Sequence, residues 1–249
     1  MRSSPNPYLK RISSLVGEQD TSRAVQLFVK GQRSAGDSLE GVARKLGVHE
    51  IIEERLPFEG GLFRATEGRL VVKLNSHSSF ARKRFTLAHE IGHLILGTIP
   101  GLRGGCRSNA ALERACDFIA AELVMPTEEA IPFVRTLGSP SPEKLTAIAS
   151  KYGVSLHVAA IRVHNDFRLW KCLVGLWEQQ AAVRTIWFVG PRRRNTVQPD
   201  SYSLQLALDS DRAVRTTELW PSGQFTDPVW LNLLHIGGNR ILGLVAFAK

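Results

Sequence analysis

The sequence predicts an α+β fold: a mixed helix-and-strand core, then a helix-turn-helix-like hairpin, then a smaller β-rich C-terminal module. Three observations predict it. The run Phe85-Thr-Leu-Ala-His-Glu-Ile-Gly-His-Leu-Ile-Leu-Gly97 is apolar on nearly every side, the mark of a buried helix. Directly before it, residues 61–65 and 69–75 read as strands around Glu67-Gly68, the signature of a β-hairpin. After Asn165 the composition changes, and all five Trp (170, 177, 187, 220 and 230) lie in this last third.

Each element follows from local chemistry. Residues 1–36 begin with Met-Arg-Ser-Ser-Pro-Asn-Pro, basic and rich in Pro and Ser with no apolar leader after it, so a loosely ordered start to a cytoplasmic protein is expected. Residues 37–138 form the expected core. Within it Asp37-Ser38-Leu39-Glu40 opens a short amphipathic helix that Gly47 ends. The hairpin and the apolar helix come next. Ser108 or Asn109 can then cap a further helix through Glu113, Asp117 and Glu122, which Pro126 stops. Residues 139–165 give two short helices broken at Gly153, the second capped at Val154-Ser155. In residues 166–249, strands are expected at 170–177, 183–189, 202–208, 214–220 and 241–247, in a mainly antiparallel module. No stretch of about 18 apolar residues occurs, so no membrane span is expected.

The apolar helix carries His89-Glu90-x-x-His93. Residues four apart lie on one helical face, so both imidazoles can reach one metal ion, while Glu90 is turned aside toward a water on that ion. That division suits a zinc hydrolase, with two ligands to hold Zn2+ and a carboxylate to accept a proton. Composition alone would produce the motif roughly 0.01 times in this chain, so chance explains it poorly. A third protein ligand leaves one position open for chemistry. Glu113, on the next helix, is the preferred candidate, with Asp117 and Glu122 as rivals. Asp117, four residues on and therefore on the same face, can instead accept the free ring N–H of a ligand His and fix its tautomer.

The block from Arg84 through His89-Glu90-Ile-Gly-His93 to Gly97, followed by Glu113-Arg-Ala-Cys-Asp117 and on to Met125-Pro126, strongly resembles the ImmA/IrrE metallopeptidase family. The likeness extends to Ser38–Gly47 upstream and to residues 145–162 downstream, covering roughly residues 37–165. It implies a zincin-like, gluzincin-type metallopeptidase domain and regulatory proteolysis of helix-turn-helix repressors. By matched position it implies His89, His93 and Glu113 as zinc ligands, Glu90 as catalytic base and Asp117 as the residue behind a ligand. It also allows a sensor-like function for residues 166–249, although Trp-rich strands are more often plain core. In zinc proteases of this architecture a strand at the cleft edge pairs with extended substrate. Leu70–Asn75, through Leu70, Val72 and Leu74, is the candidate edge, and an ordinary packed strand is the alternative.

The net charge of +9 and pI near 9.9 raise a nucleic-acid reading. The basic clusters Arg82-Lys83-Arg84 and Arg192-Arg193-Arg194 are not interleaved with stacking aromatics, and residues 156–164 offer only Arg162 and two His as base readers. Direct DNA contact is therefore not expected, and a packing role for the hairpin is favoured, with His157 or Tyr152 as candidates to stabilise an oxyanion. Since Arg82–Arg84 opposes the helix dipole, an external acidic partner is expected there. Three widely spaced cysteines, Cys106, Cys116 and Cys172, make no disulfide framework and suit a reducing compartment. Two other classes stay open at this point: a DNA-binding regulator with a structural metal, and a non-proteolytic interaction or toxin–antitoxin component.

Overall fold

The computed structural model describes residues 31, 37–96, 110–190, 199–218 and 229–247. Cys106, the Ser108/Asn109 cap, Arg192–Arg194, Trp220 and nearly all of the N-terminal segment 1–36 lie outside them. The described residues hold seven α-helices and two sheets, an α+β fold as expected. They divide into two compact units, residues 1–129 and 130–249, so the helical hairpin belongs with the C-terminal sheet.

In the first unit, Ser38 caps helix α1 (Leu39–Lys45) by accepting the Gly41 N–H, and Leu39, Val42 and Ala43 form its buried face. Strands β1 (Val48–Glu54), β2 (Gly60–Arg64) and β3 (Leu70–Asn75) form a sheet in the order β1-β3-β2. The β2–β3 hairpin is antiparallel, with Gly68 at φ +79° in its turn, where a side chain would be strained. Strand β1, which the sequence pattern does not reveal, pairs parallel with β3. That pairing overturns the edge assignment of Leu70, Val72 and Leu74. Their strand is central, bonded on both sides, and Val72 and Leu74 are buried, so no peptide can add to it. Among the described residues, β2 has no strand on its other side and forms the free edge beside the hairpin.

Helix α2 (Phe80–Ile95) begins at a Ser79 cap that accepts the Arg82 N–H, and it packs on α1, β2 and β3. Two of the three basic residues of its first turn meet carboxylates within this unit, and the third lies over a ring. Arg82 Nε lies 3.2 Å from Glu59, Lys83 Nζ 2.6 Å from Glu53, and the Arg84 guanidinium over the Phe80 ring. Helix α3 (Ala110–Val124) lies against α2, burying Cys116, Ile119, Ala120 and Leu123. Pro126 stops it, and Glu122 then accepts from both the N–H and the hydroxyl of Thr127, the first residue of α4 (Thr127–Thr136).

In the second unit, α5 (Pro142–Tyr152) ends at Gly153 in the left-handed region, and Ser155 caps α6 (Leu156–Ile161), which runs into a π turn (Arg162–Asp166). A five-stranded antiparallel sheet follows in the order β5-β4-β8-β7-β6, built from β4 (Leu173–Gln179), β5 (Val183–Val189), β6 (Val214–Glu218), β7 (Val229–His235) and β8 (Arg240–Phe247). Residues 202–208 are not the expected strand. They form helix α7 (Ser201–Leu208), whose Asp200 cap accepts the Ser203 N–H at 2.6 Å and whose Leu204 and Ala207 enter the sheet's core. Trp177 is fully buried in that core, and the cross-strand glycine pair Gly175–Gly243 leaves room for its indole, since a Cβ on either would collide with the ring. At least this Trp is core.

Candidate metal centre

Three ligand atoms converge between α2 and α3. His89 Nε2 lies 3.2 Å from His93 Nε2 and 3.2 Å from Glu113 Oε2, and the last two atoms are 3.7 Å apart. Ligands at about 2.0–2.1 Å from a tetrahedral zinc sit roughly 3.3 Å from each other, so the triangle has the size such an ion needs. Helical geometry provides the His pair. Close packing provides the carboxylate: a Cβ on Gly92 would come within 3.1–3.3 Å of the Cys116 Cα, O and Cβ, so the glycine inside the motif is what lets α3 approach.

The proton inventory agrees with a cation site. The Asp117 carboxylate can only accept, and it lies 2.9 Å from His89 Nδ1, so that nitrogen carries the hydrogen and a neutral His89 presents its Nε2 lone pair. This lone pair faces the Glu113 carboxylate, with His93 Nε2 at the remaining corner. In the tautomer that leaves His93 Nε2 without a hydrogen, three acceptors face one another, and a cation among them relieves their repulsion. The same field acts on protons. Burial pulls the His89 pKa down, yet the hydrogen bond and charge of Asp117 and the charges of Glu90 and Glu113 raise it overall.

Glu90 is buried beside this triangle at 7% exposure, and burial raises its pKa against the opposing pull of His89 and of a hydrogen bond from the Leu62 N–H. Its Oε2 is a buried atom without a hydrogen-bond partner among the described residues. Leu62 belongs to β2. Glu59 O and Ala65 N–H both bond inward to the β3 side, so by antiparallel alternation the Leu62 N–H points outward, along the free edge. The free edge of the sheet and the Glu90 carboxylate therefore adjoin.

Cys116 Sγ lies 3.4 Å from His93 Nδ1, a neighbour the sequence reading did not find although it stands one turn after Glu113 on the same helix. His89, His93 and Cys116 also form a group whose ligand atoms lie within 4.8 Å of one another. Two facts favour Glu113 over Cys116 as the third ligand. The nitrogens of one imidazole point apart, so an ion on His93 Nε2 cannot also sit between Nδ1 and sulfur. Burial, then the carboxylates of Glu113, Glu90 and Asp117, push the Cys116 thiol up to about 12. Of the sequence candidates, Glu122 is taken up by Thr127. His157 stacks on Trp187, Tyr152 packs edge-on against Phe133, and Arg162 is fully buried, so that arginine reads no base.

Residues 43–164 match the Peptidase M78 family model, described as the IrrE N-terminal-like domain. Across 96% of this chain and 94% of the other, the fold is similar to a solved structure titled Mycobacterium tuberculosis transcriptional regulator, at 14% identity and a TM-score of 0.55, a likeness of fold alone. No curated protein matches the chain. This chain carries an IrrE N-terminal-like domain of a peptidase family, and the converging His89, His93 and Glu113 lie inside it.

Proposed function

We propose that this IrrE N-terminal-like domain is a zinc-dependent endopeptidase acting on a regulatory protein, with His89, His93 and Glu113 holding the metal. The observation that carries the reading is the ligand triangle with a buried, half-satisfied Glu90 at its side. When bound, zinc supplies Lewis-acid activation of a water and of a peptide carbonyl. The chain's own residues do the rest. Glu90 takes the proton from the attacking water and returns it to the leaving peptide nitrogen, and its raised pKa suits a group that must both accept and release. The Leu62 N–H steadies that carboxylate. Asp117 holds His89 in the tautomer that directs Nε2 at the metal.

The free edge of β2 gives the substrate its geometry. An extended segment added there would gain main-chain bonds next to Glu90, with exposed Phe63 available to an apolar side chain. A folded helix cannot pair in this way, so the cut falls in an exposed, extendable stretch. The family resemblance points to a helix-turn-helix repressor, whose cleavage would separate DNA-binding and dimerising parts and weaken operator binding by loss of the second half-site. The test is incubation of the purified protein with candidate repressors encoded beside its gene, with and without a chelator, followed by mass spectrometry of the products. Chelator-sensitive cleavage at a single exposed segment is the expected result. A repressor released stoichiometrically with its chain intact would instead make the protein a binding component.

A further inference from the structure

A second gathering of polar groups lies in the C-terminal unit, where the start of α5 meets the outer strands of the sheet. Along β7, Val229, Leu231 and Leu233 enter the core beside Leu204 and Ala207 of α7, so strand alternation turns Asn232 to the opposite face. Arg215 of β6 stands directly across from Asn232 in the antiparallel register, which puts the two side chains on the same face. Both line a cavity of about 570 Å³, together with Ser139, Ser141, Glu143 and Lys144, all of them in the second unit. Small-molecule sites run from roughly 300 to 1,000 Å³, so the space suits a metabolite-sized ligand.

The lining keeps hydrogen-bonding capacity in hand. Asn232 Oδ1 is a buried atom with no hydrogen-bond partner among the described residues, a cost that a donor on a bound molecule would relieve. Lys144 Nζ gives one of its three hydrogens to the Ser139 carbonyl at 2.6 Å, which holds the ammonium at the cavity with two hydrogens left. Among the described residues no ion pair joins Glu143 to Arg215 or Lys144. Two cations against one carboxylate leave the lining one charge positive, which matches a singly charged anion better than a dianion. Asn232 and Glu143 add acceptors, so the same anion should bring a donor. We propose that this cavity binds a small carboxylate bearing an adjacent amino or hydroxyl group. Arg215 and Lys144 take the carboxylate, and Asn232 accepts the neighbouring N–H or O–H. The site does not depend on the metal centre.

The test titrates the full chain, by calorimetry and melting temperature, with individual L-amino acids and 2-hydroxycarboxylates, and with acetate and inorganic phosphate as comparison arms. At least one amino or hydroxy acid should bind, and which of the two series responds identifies the donor. Acetate, which has the charge but no donor, should bind more weakly. Arg215→Ala, at an exposed strand position, should lower the affinity by about 10-fold or more, the loss expected for a hydrogen bond to a charged group. Asn232→Leu should abolish the response while the ligand-free chain melts no lower than wild type, because an unpartnered buried oxygen is replaced by an apolar group. No binding by any member of the panel overturns the proposal. Phosphate binding tighter than every carboxylate overturns the ligand class, and affinity unchanged in Arg215→Ala overturns the site, whether or not Asn232→Leu folds.

Discussion

In the first unit Glu90 and His93 are buried beside other acceptors, while in the second unit the buried Arg162 closes on its own neighbours. The Arg162 guanidinium donates to Asp166 at 2.9 Å and lies over the Phe167 ring at 4.5 Å. Both units thus hide polar side chains, but Arg162 finds its countercharge four residues away, whereas the helix pair of the first unit gathers two imidazoles and a carboxylate at the spacing of metal ligands. Burial of polar groups therefore points to a site where several ligand atoms converge, not where one ion pair closes locally.

The largest expected effect breaks the first half of that comparison. His93→Ala removes a corner of the triangle and should lower zinc affinity by more than the ~100-fold upper range for residues behind ligands, abolishing cleavage with it. Isothermal titration with zinc and a peptidase assay check this together. Next, Glu90→Gln should keep the zinc affinity within a few-fold of wild type yet cut the rate by ~10²–10⁴, because an amide cannot accept the proton. Near wild-type turnover would show that Glu90 is not the base. The counterpart in the second unit is Arg162→Ala, which should cost about 3 kcal/mol of folding stability with no direct effect on zinc, as measured by denaturant unfolding.

A smaller effect follows from protons. Glu90 and His89 both have folded pKa values above their ordinary ones, so the folded metal-free protein binds these protons more tightly than the unfolded chain does. Their contribution to stability is present below about 4.5 for Glu90 and below about 6.5 for His89, and is lost as pH rises through each raised value. Zinc requires deprotonated ligands, so the stabilisation it adds should grow over the same range. Melting temperatures with zinc and with a chelator, taken from pH 5 to 8, should diverge as pH rises. Curves that stay parallel would mean that metal and protons do not compete for these groups. The smallest expected change is Gly92→Ala, where a few tenths of an ångström of helix displacement should cost about 1–3 kcal/mol and loosen Glu113 from the His pair.

How far the sequence foretold this depends on whether a feature is local. The spacing of His89, Glu90 and His93 on one helix, the hairpin turn at Gly68, the Pro126 stop and the break at Gly153 are set within a turn or two of chain, and they were legible. The position of β3 was not. A strand is central or edge according to what pairs with it, and its partner β1 lies some twenty residues upstream in Val48-His-Glu-Ile-Ile, a stretch with little alternation. The run Ser203-Leu-Gln-Leu-Ala-Leu208 alternates like a strand, yet Asp200 caps it and the sheet's core takes Leu204, Ala207 and, partly, Leu208, a helical spacing. Strand β7 is not among the expected strands, although Val229, Leu231 and Leu233 alternate and are buried on one face. The Cys116 contact was equally out of reach, since it depends on two helices meeting at a glycine.

The central claim, a catalytic zinc held by two imidazoles and one carboxylate, is tested most directly by elemental analysis combined with X-ray absorption at the zinc edge of the loaded protein. The account predicts one zinc per chain, nitrogen and oxygen neighbours at about 2.0–2.2 Å, and no sulfur in the coordination sphere. A chain that retains no zinc, or a zinc–sulfur distance of about 2.3 Å placing Cys116 on the metal in place of Glu113, would contradict it.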